Sequence, residues 1–136
     1  AEQLLRQSLE LNPRQPRHAK VLARLEVERA DVAGAINTLV AALPYVQSDP
    51  EYFAFLAALL QREARHREAV EYYRVALQGA PGNAIWTMGM GISLRANNQL
   101  AEAREAFQRA AGSRQLNAEL RAYVERQLRE LAPGSQ

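Results

Sequence analysis

The chain has 136 residues, 48% of them hydrophobic, 7% aromatic and 24% charged, with no cysteine. That composition excludes a disordered polymer, disulfides, thiolate zinc sites and cysteine nucleophiles. Its 17 basic and 15 acidic residues leave a net charge of +2, too even for a nucleic-acid surface, and its longest apolar run, 52–60, is about half the ~18 residues a membrane helix needs.

Apolar periodicity and punctuation predict helices near 1–11, 16–29, 32–45, 50–63, 67–78, 84–97, 101–111 and 117–131. Asp31 stands before the helix carrying Ile36 and Leu39. Asp49-Pro50-Glu51 reads as an N-cap, a first-turn proline and a first-turn acid. Asn83 and Asn117 are N-cap residues before Trp86 and Leu120, and Gly79 and Gly112 are read as left-handed helix stops. In 117–131, Leu120, Val124, Leu128 and Leu131 share one face, and charged residues cover the rest. The last residues, 133–136, read as a disordered tail. The fold class is all-α.

Compared with itself at an offset of 34, the chain matches repeatedly. Ala35, Ala69 and Ala103 align, as do Ala42, Ala76 and Ala110, with the bulky set Leu39, Tyr73 and Phe107 between them. Upstream, Leu22, Leu56 and Met90 align, followed by Ala23, Ala57 and Gly91. Small residues at a fixed phase let helix backbones approach, and large ones fill the adjoining holes. Each helix pair then leaves an apolar face for the next pair to cover, so the pairs stack. Glu26 breaks the pattern where Leu60 and Leu94 stand, which predicts a shifted or looser first helix in that copy.

The set Leu56, Ala57, Leu60, Ala69, Tyr73, Ala76 and Pro81, repeated as Met90, Gly91, Leu94, Ala103, Phe107 and Ala110, resembles the tetratricopeptide repeat. The resemblance implies a right-handed superhelix of antiparallel helix pairs over 1–132. It would comprise a half repeat 1–15, repeats 16–49, 50–83 and 84–117, and a capping helix 117–131. Because Ala1 enters at the second helix of a pair, the chain is expected to be cut from a longer one. The edge left by 1–11 would be free for self-association.

Nothing in the sequence assembles a catalytic centre. His18 and His66 lack a second ligand at helical spacing, so no metal site is expected. Met88-Gly-Met-Gly91 follows no strand and is no phosphate loop. Ser8, Ser48, Ser93 and Ser113 have no base in helical register. The expectation is a non-enzyme without cofactor.

In tetratricopeptide proteins the first helix of each pair lines a concave groove where protein segments dock. The resemblance places Arg17, Lys20, Arg24 and Val27 there from the first repeat. Glu51, Ala54, Ala58 and Gln61 follow from the second, and Ile85, Met88, Ile92 and Arg95 from the third. Arg14, Arg17, Lys20 and Arg24 read as an uncompensated basic cluster, the last three on one face of their helix, and the helix 84–97 is apolar almost all round. The groove would thus be basic at its N-terminal end and apolar at the other, suiting a partner with an acidic part and a hydrophobic anchor. The carboxylate clamp of chaperone-tail binders is not intact: Lys20 fits, but Arg24 replaces an asparagine and Met88 and Ile92 replace later cations.

Segments 49–62, 81–94 and 119–128 are similar to the MshN family of bacterial MSHA (type IV) pilus biogenesis proteins. That similarity implies a scaffold in pilus assembly, held on the periplasmic side of the inner membrane by an upstream anchor. The alternatives are a cytoplasmic location and a targeting or regulatory arm of a larger enzyme. No direct membrane contact is expected of this segment.

Overall fold

The computed structural model describes residues 15–133, and every regular element in it is helical. The helices are α1 (Pro16–Glu28), α2 (Val32–Ala42), α3 (Pro50–Arg62), α4 (His66–Gly79), α5 (Ala84–Ala96), α6 (Leu100–Ala111) and α7 (Ala118–Leu131). A 3-10 turn, Leu43–Tyr45, follows α2, where the sequence predicts one unbroken helix to 45. The expected helix 1–11, the half repeat 1–15 and most of the tail 133–136 lie outside the described residues. α1 packs on α2, α3 on α4 and α5 on α6. α4 then packs on α5, and α6 on α7.

The four predicted caps form. Asp31, Asp49, Asn83 and Asn117 accept from the backbone N–H of Gly34, Tyr52, Trp86 and Leu120, satisfying donors that each helix start leaves open. The glycines do not act as predicted. Gly79 is the last residue of α4, and Gly112 has φ −77°, so neither stop is left-handed.

The left-handed residues are instead Ala30, Ala64 and Asn98, with φ of 64°, 60° and 62°. They stand at the same phase, in the turn inside each helix pair. At each, the next residue's N–H reaches back to a helix carbonyl: Asp31 to Glu26, Arg65 to Leu60 and Gln99 to Leu94, all at 2.8 Å. The left-handed residue itself bonds to the carbonyl three before it, at 2.9–3.0 Å. This pair of bonds closes a Schellman turn, which redirects the chain into the antiparallel partner with its last carbonyls satisfied.

The 3-10 turn has a local cause. Pro44 has no N–H to give the Val40 carbonyl, so Leu43 N–H takes that acceptor instead. The neighbouring Leu39 carbonyl is filled from outside the helix, by the Tyr52 hydroxyl at 2.7 Å.

The aligned residues form the core. Ala35, Ala69 and Ala103 are fully buried, and so are Leu39 and Phe107, with Tyr73 5% exposed. One cluster runs from Ala19 to Tyr73 and a second from Val70 to Leu131, with Met90 packed against both. Gly91 marks a close approach, since a Cβ there would lie 3.1 Å from the Phe107 ring. Glu26 keeps its phase rather than shifting α1. It is 2% exposed in the register of Leu60 and Leu94, and accepts from Thr38 Oγ1 at 2.6 Å. A buried carboxylate survives in an apolar slot only with such bonding. α1 has 13 residues, the same length as α3 and α5.

Two predictions follow from these turns and phenols. Ala64→Gly relieves a left-handed alanine, and a gain of about 0.5–1 kcal/mol is expected, seen as a higher urea midpoint at constant slope. Burial, assisted by Asp49, pushes the Tyr52 hydroxyl well above the ordinary 10.0, and burial pushes Tyr73 up to about 12. In the unfolded chain both phenols ionise near 10, so stability is intact below that pH and falls as pH rises through 10 toward 12. An absorbance titration should show these two phenols ionising only as helical circular dichroism is lost.

Candidate partner-binding groove

The first helices of successive pairs, α1, α3 and α5, and then α7, are joined by a bridge at each step. Lys20 Nζ meets Asp49 Oδ2 at 2.8 Å, tying α1 to the cap of α3. The Arg24 guanidinium lies 5.9 Å from the centre of the Phe55 ring. Gln61 Nε2 donates to the Gly89 carbonyl at 2.7 Å and to Ser93 Oγ at 2.9 Å, tying α3 to α5. Arg95 donates to Glu130 at 2.8 Å and also to Gln127, tying α5 to α7.

These bridges place the predicted groove residues. Arg17 and Arg24 are exposed, Lys20 is half-buried in its ion pair, Ala54 is buried, and Ala58 is half-buried. Ile85 is 42% exposed, while Met88 and Ile92 are half-buried against the second core cluster. Gln61 and Arg95 are committed to neighbouring helices. Among the described residues the basic cluster is therefore not uncompensated as the sequence suggested, and Arg14 lies outside them. Lys20 has Asp49, and Arg24 has a ring, which leaves Arg17 as a solvated charge without an ion pair among the described residues. The all-round apolarity of α5 has its explanation too. Trp86 and Met90 pack on the first cluster and Leu94 belongs to the second, so α5 is buried from two sides, and Ile85 emerges at its start.

Val21 and Phe55 were not foreseen. Val21 is 44% exposed and shares the face of Arg17 and Arg24, and Phe55 is half-buried beneath Arg24. The signal was present: residues 21, 55 and 89 fall at the repeat interval, in a column adjoining the predicted stripe.

One chemical expectation is corrected. Ser93 does have a base beside it, since His66 Nδ1 lies 3.0 Å from its Oγ. The two belong to different repeats, so no single-helix register could show the pair. Ser93 is fully buried and its Oγ also receives Gln61, so it is closed to a substrate and serves as a polar joint between α3, α4 and α5. Among the described residues, no group of three or more His, Asp or Glu could hold a metal ion, and no helix is long and apolar enough to cross a membrane.

Replacing Gln61 by Ala removes both bonds of the α3–α5 joint, with a loss of about 1–2 kcal/mol expected in chemical denaturation. His66→Ala, which leaves Gln61 in place on Ser93, should cost less.

No curated protein matches the sequence. The tetratricopeptide repeat family model matches residues 1–59. Among solved structures, the chain is similar to the type III secretion chaperone SycD of Yersinia enterocolitica in complex with a peptide of the translocator YopD. That match has a TM-score of 0.75 at 18% identity, over 85% of this chain and 90% of that one. It is also similar to the Sgt2 TPR domain from Aspergillus fumigatus, with a TM-score of 0.72 at 19% identity, over 90% of this chain and 84% of that one. The MamA protein gives a TM-score of 0.72 at 17% identity over 80% of this chain, which spans 60% of the MamA chain. The helix pairs, their 34-residue phase and these likenesses identify the fold as a tetratricopeptide-type α–α superhelix and support a tetratricopeptide repeat family.

Proposed function

We propose that the chain is a non-catalytic scaffold that receives a segment of a protein partner on the face formed by α1, α3 and α5. The observation that carries this reading is the exposed Ile85, continuous with half-buried Met88 and Ile92, on a face that also presents Arg17 and Arg24. Exposed apolar side chains rimmed by charge mark interaction surfaces. A peptide accompanies the SycD fold relative, which supports the same use of this architecture. Within this reading, the segments 49–62, 81–94 and 119–128 support a place in type IV pilus assembly. The scaffold would then sit on the periplasmic side of the inner membrane through an anchor elsewhere in a longer protein.

Ile92→Glu should abolish partner binding in titration calorimetry while leaving helical circular dichroism unchanged. A partner identified by capture that binds the variant with unaltered affinity would sink the groove assignment.

A further inference from the structure

Among the described helices, α2 is the one that carries no charged residue. Its outward face, Ala33, Asn37, Val40, Ala41 and Pro44, is exposed, with Val40 44% open to solvent and Tyr45, 37% exposed, at its C-terminal end. The repeat interval sets the comparison. At the phases of Ala33, Asn37 and Val40, α4 exposes Arg67, Glu71 and Arg74, and α6 exposes Ala101, Glu105 and Gln108. The fold therefore accepts charge at these positions, and packing within the chain does not account for its absence from α2. Depletion of charge on an exposed face with large apolar side chains is the mark of an interface core.

We infer that this face of α2 packs against the same face of a second copy of the chain, antiparallel about a two-fold axis beside Val40. Two properties of the face select a second copy. Its side-chain sizes are complementary when reversed: Ala33 lies opposite the partner's Tyr45, Asn37 opposite the partner's Ala41, and Val40 beside its own counterpart. A two-fold contact requires such a self-complementary patch, and the alanines let the backbones come close. The charges match as well. The positive N-terminal end of each α2 lies beside the negative C-terminal end of the other, and neither face brings a side-chain charge that must be desolvated. With 11 residues, α2 offers a face about 16 Å long and about 10 Å across, far less than the ~800 Å² per partner of a stable complex. The pairing is thus weak and concentration-dependent, with a dissociation constant of about 0.1 mM. This goes beyond the groove reading, since the candidate groove belongs to the first helices of the pairs and α2 is a second one. A dimer joined through α2 covers none of the candidate groove residues. It offers two grooves to a partner with two binding segments, whose apparent affinity rises without any new contact.

Sedimentation equilibrium from about 10 μM to about 1 mM should show a reversible monomer–dimer equilibrium. Val40→Arg installs the side chain that α4 carries at this phase, Arg74, so the fold accepts it, and Val40→Glu places an acid at the same exposed spot. Each variant alone should associate at least about tenfold more weakly with helical circular dichroism unchanged, because like charges meet across the axis. An equimolar mixture of the two should regain the dimer, since opposite charges then face each other. Raising salt from about 50 to about 500 mM should weaken that mixed dimer and leave the parent dimer within about twofold. A chain that stays monomeric to about 1 mM would overturn the inference and leave the face to a different protein. So would Val40 variants that dimerise like the parent, a mixture that does not regain the dimer, or a parent dimer that dissolves in salt. If Ile85→Glu abolishes the dimer and the Val40 variants do not, the copies meet through the groove, and this inference falls while the groove reading stands.

Discussion

The structure depends on contact between a small residue on one helix and a large one on the next, repeated at one interval. Gly91 under the Phe107 ring is one such case, and the buried Ala57 and Tyr73 occupy the same phases one repeat earlier. Because the backbone can come close only where the side chain is a methyl group or less, the interval fixes which turn of each helix faces its partner. The core is consequently a line of clusters rather than a centre. Met90, touching both clusters, makes the line continuous.

This contact was legible in the sequence because it recurs with the same size pattern, and the helix starts were legible because Asp and Asn cap by a local rule. The turns inside the pairs were not. Ala30 and Ala64 carry no signal for a left-handed backbone, which glycine would have given, and packing of the two helices imposes it. Glu26 looked like a flaw because it puts a carboxylate in an apolar column, and the Thr38 hydroxyl that bonds it stands on another helix.

The candidate groove was legible as a column of residues but not as a set of relationships. Lys20–Asp49, Gln61–Ser93 and Arg95–Glu130 span comparable separations with different chemistry at each step, so no periodic search finds them. His66 and Ser93 were missed for the same reason. What the bridges leave over is informative. Polar groups facing the neighbouring first helix are consumed in holding repeats together, while Arg17, Arg24 and Ile85 remain presented to solvent.

The bridges also have a mechanical meaning. Between α3 and α5 the inner edge is held by a half-buried amide with two acceptors, and between α5 and α7 by an arginine with two acceptors. Along the outer edge, α4 and α6 are linked by Arg74 and Glu102 at 3.0 Å, a pair whose side chains are each about half exposed and so only weakly held. The molecule is thus stiffer along one edge than along the other, like a strip backed on one side. Spreading α4 from α6 would break that one exposed pair, whereas spreading α3 from α5 would break both bonds of the Gln61 amide.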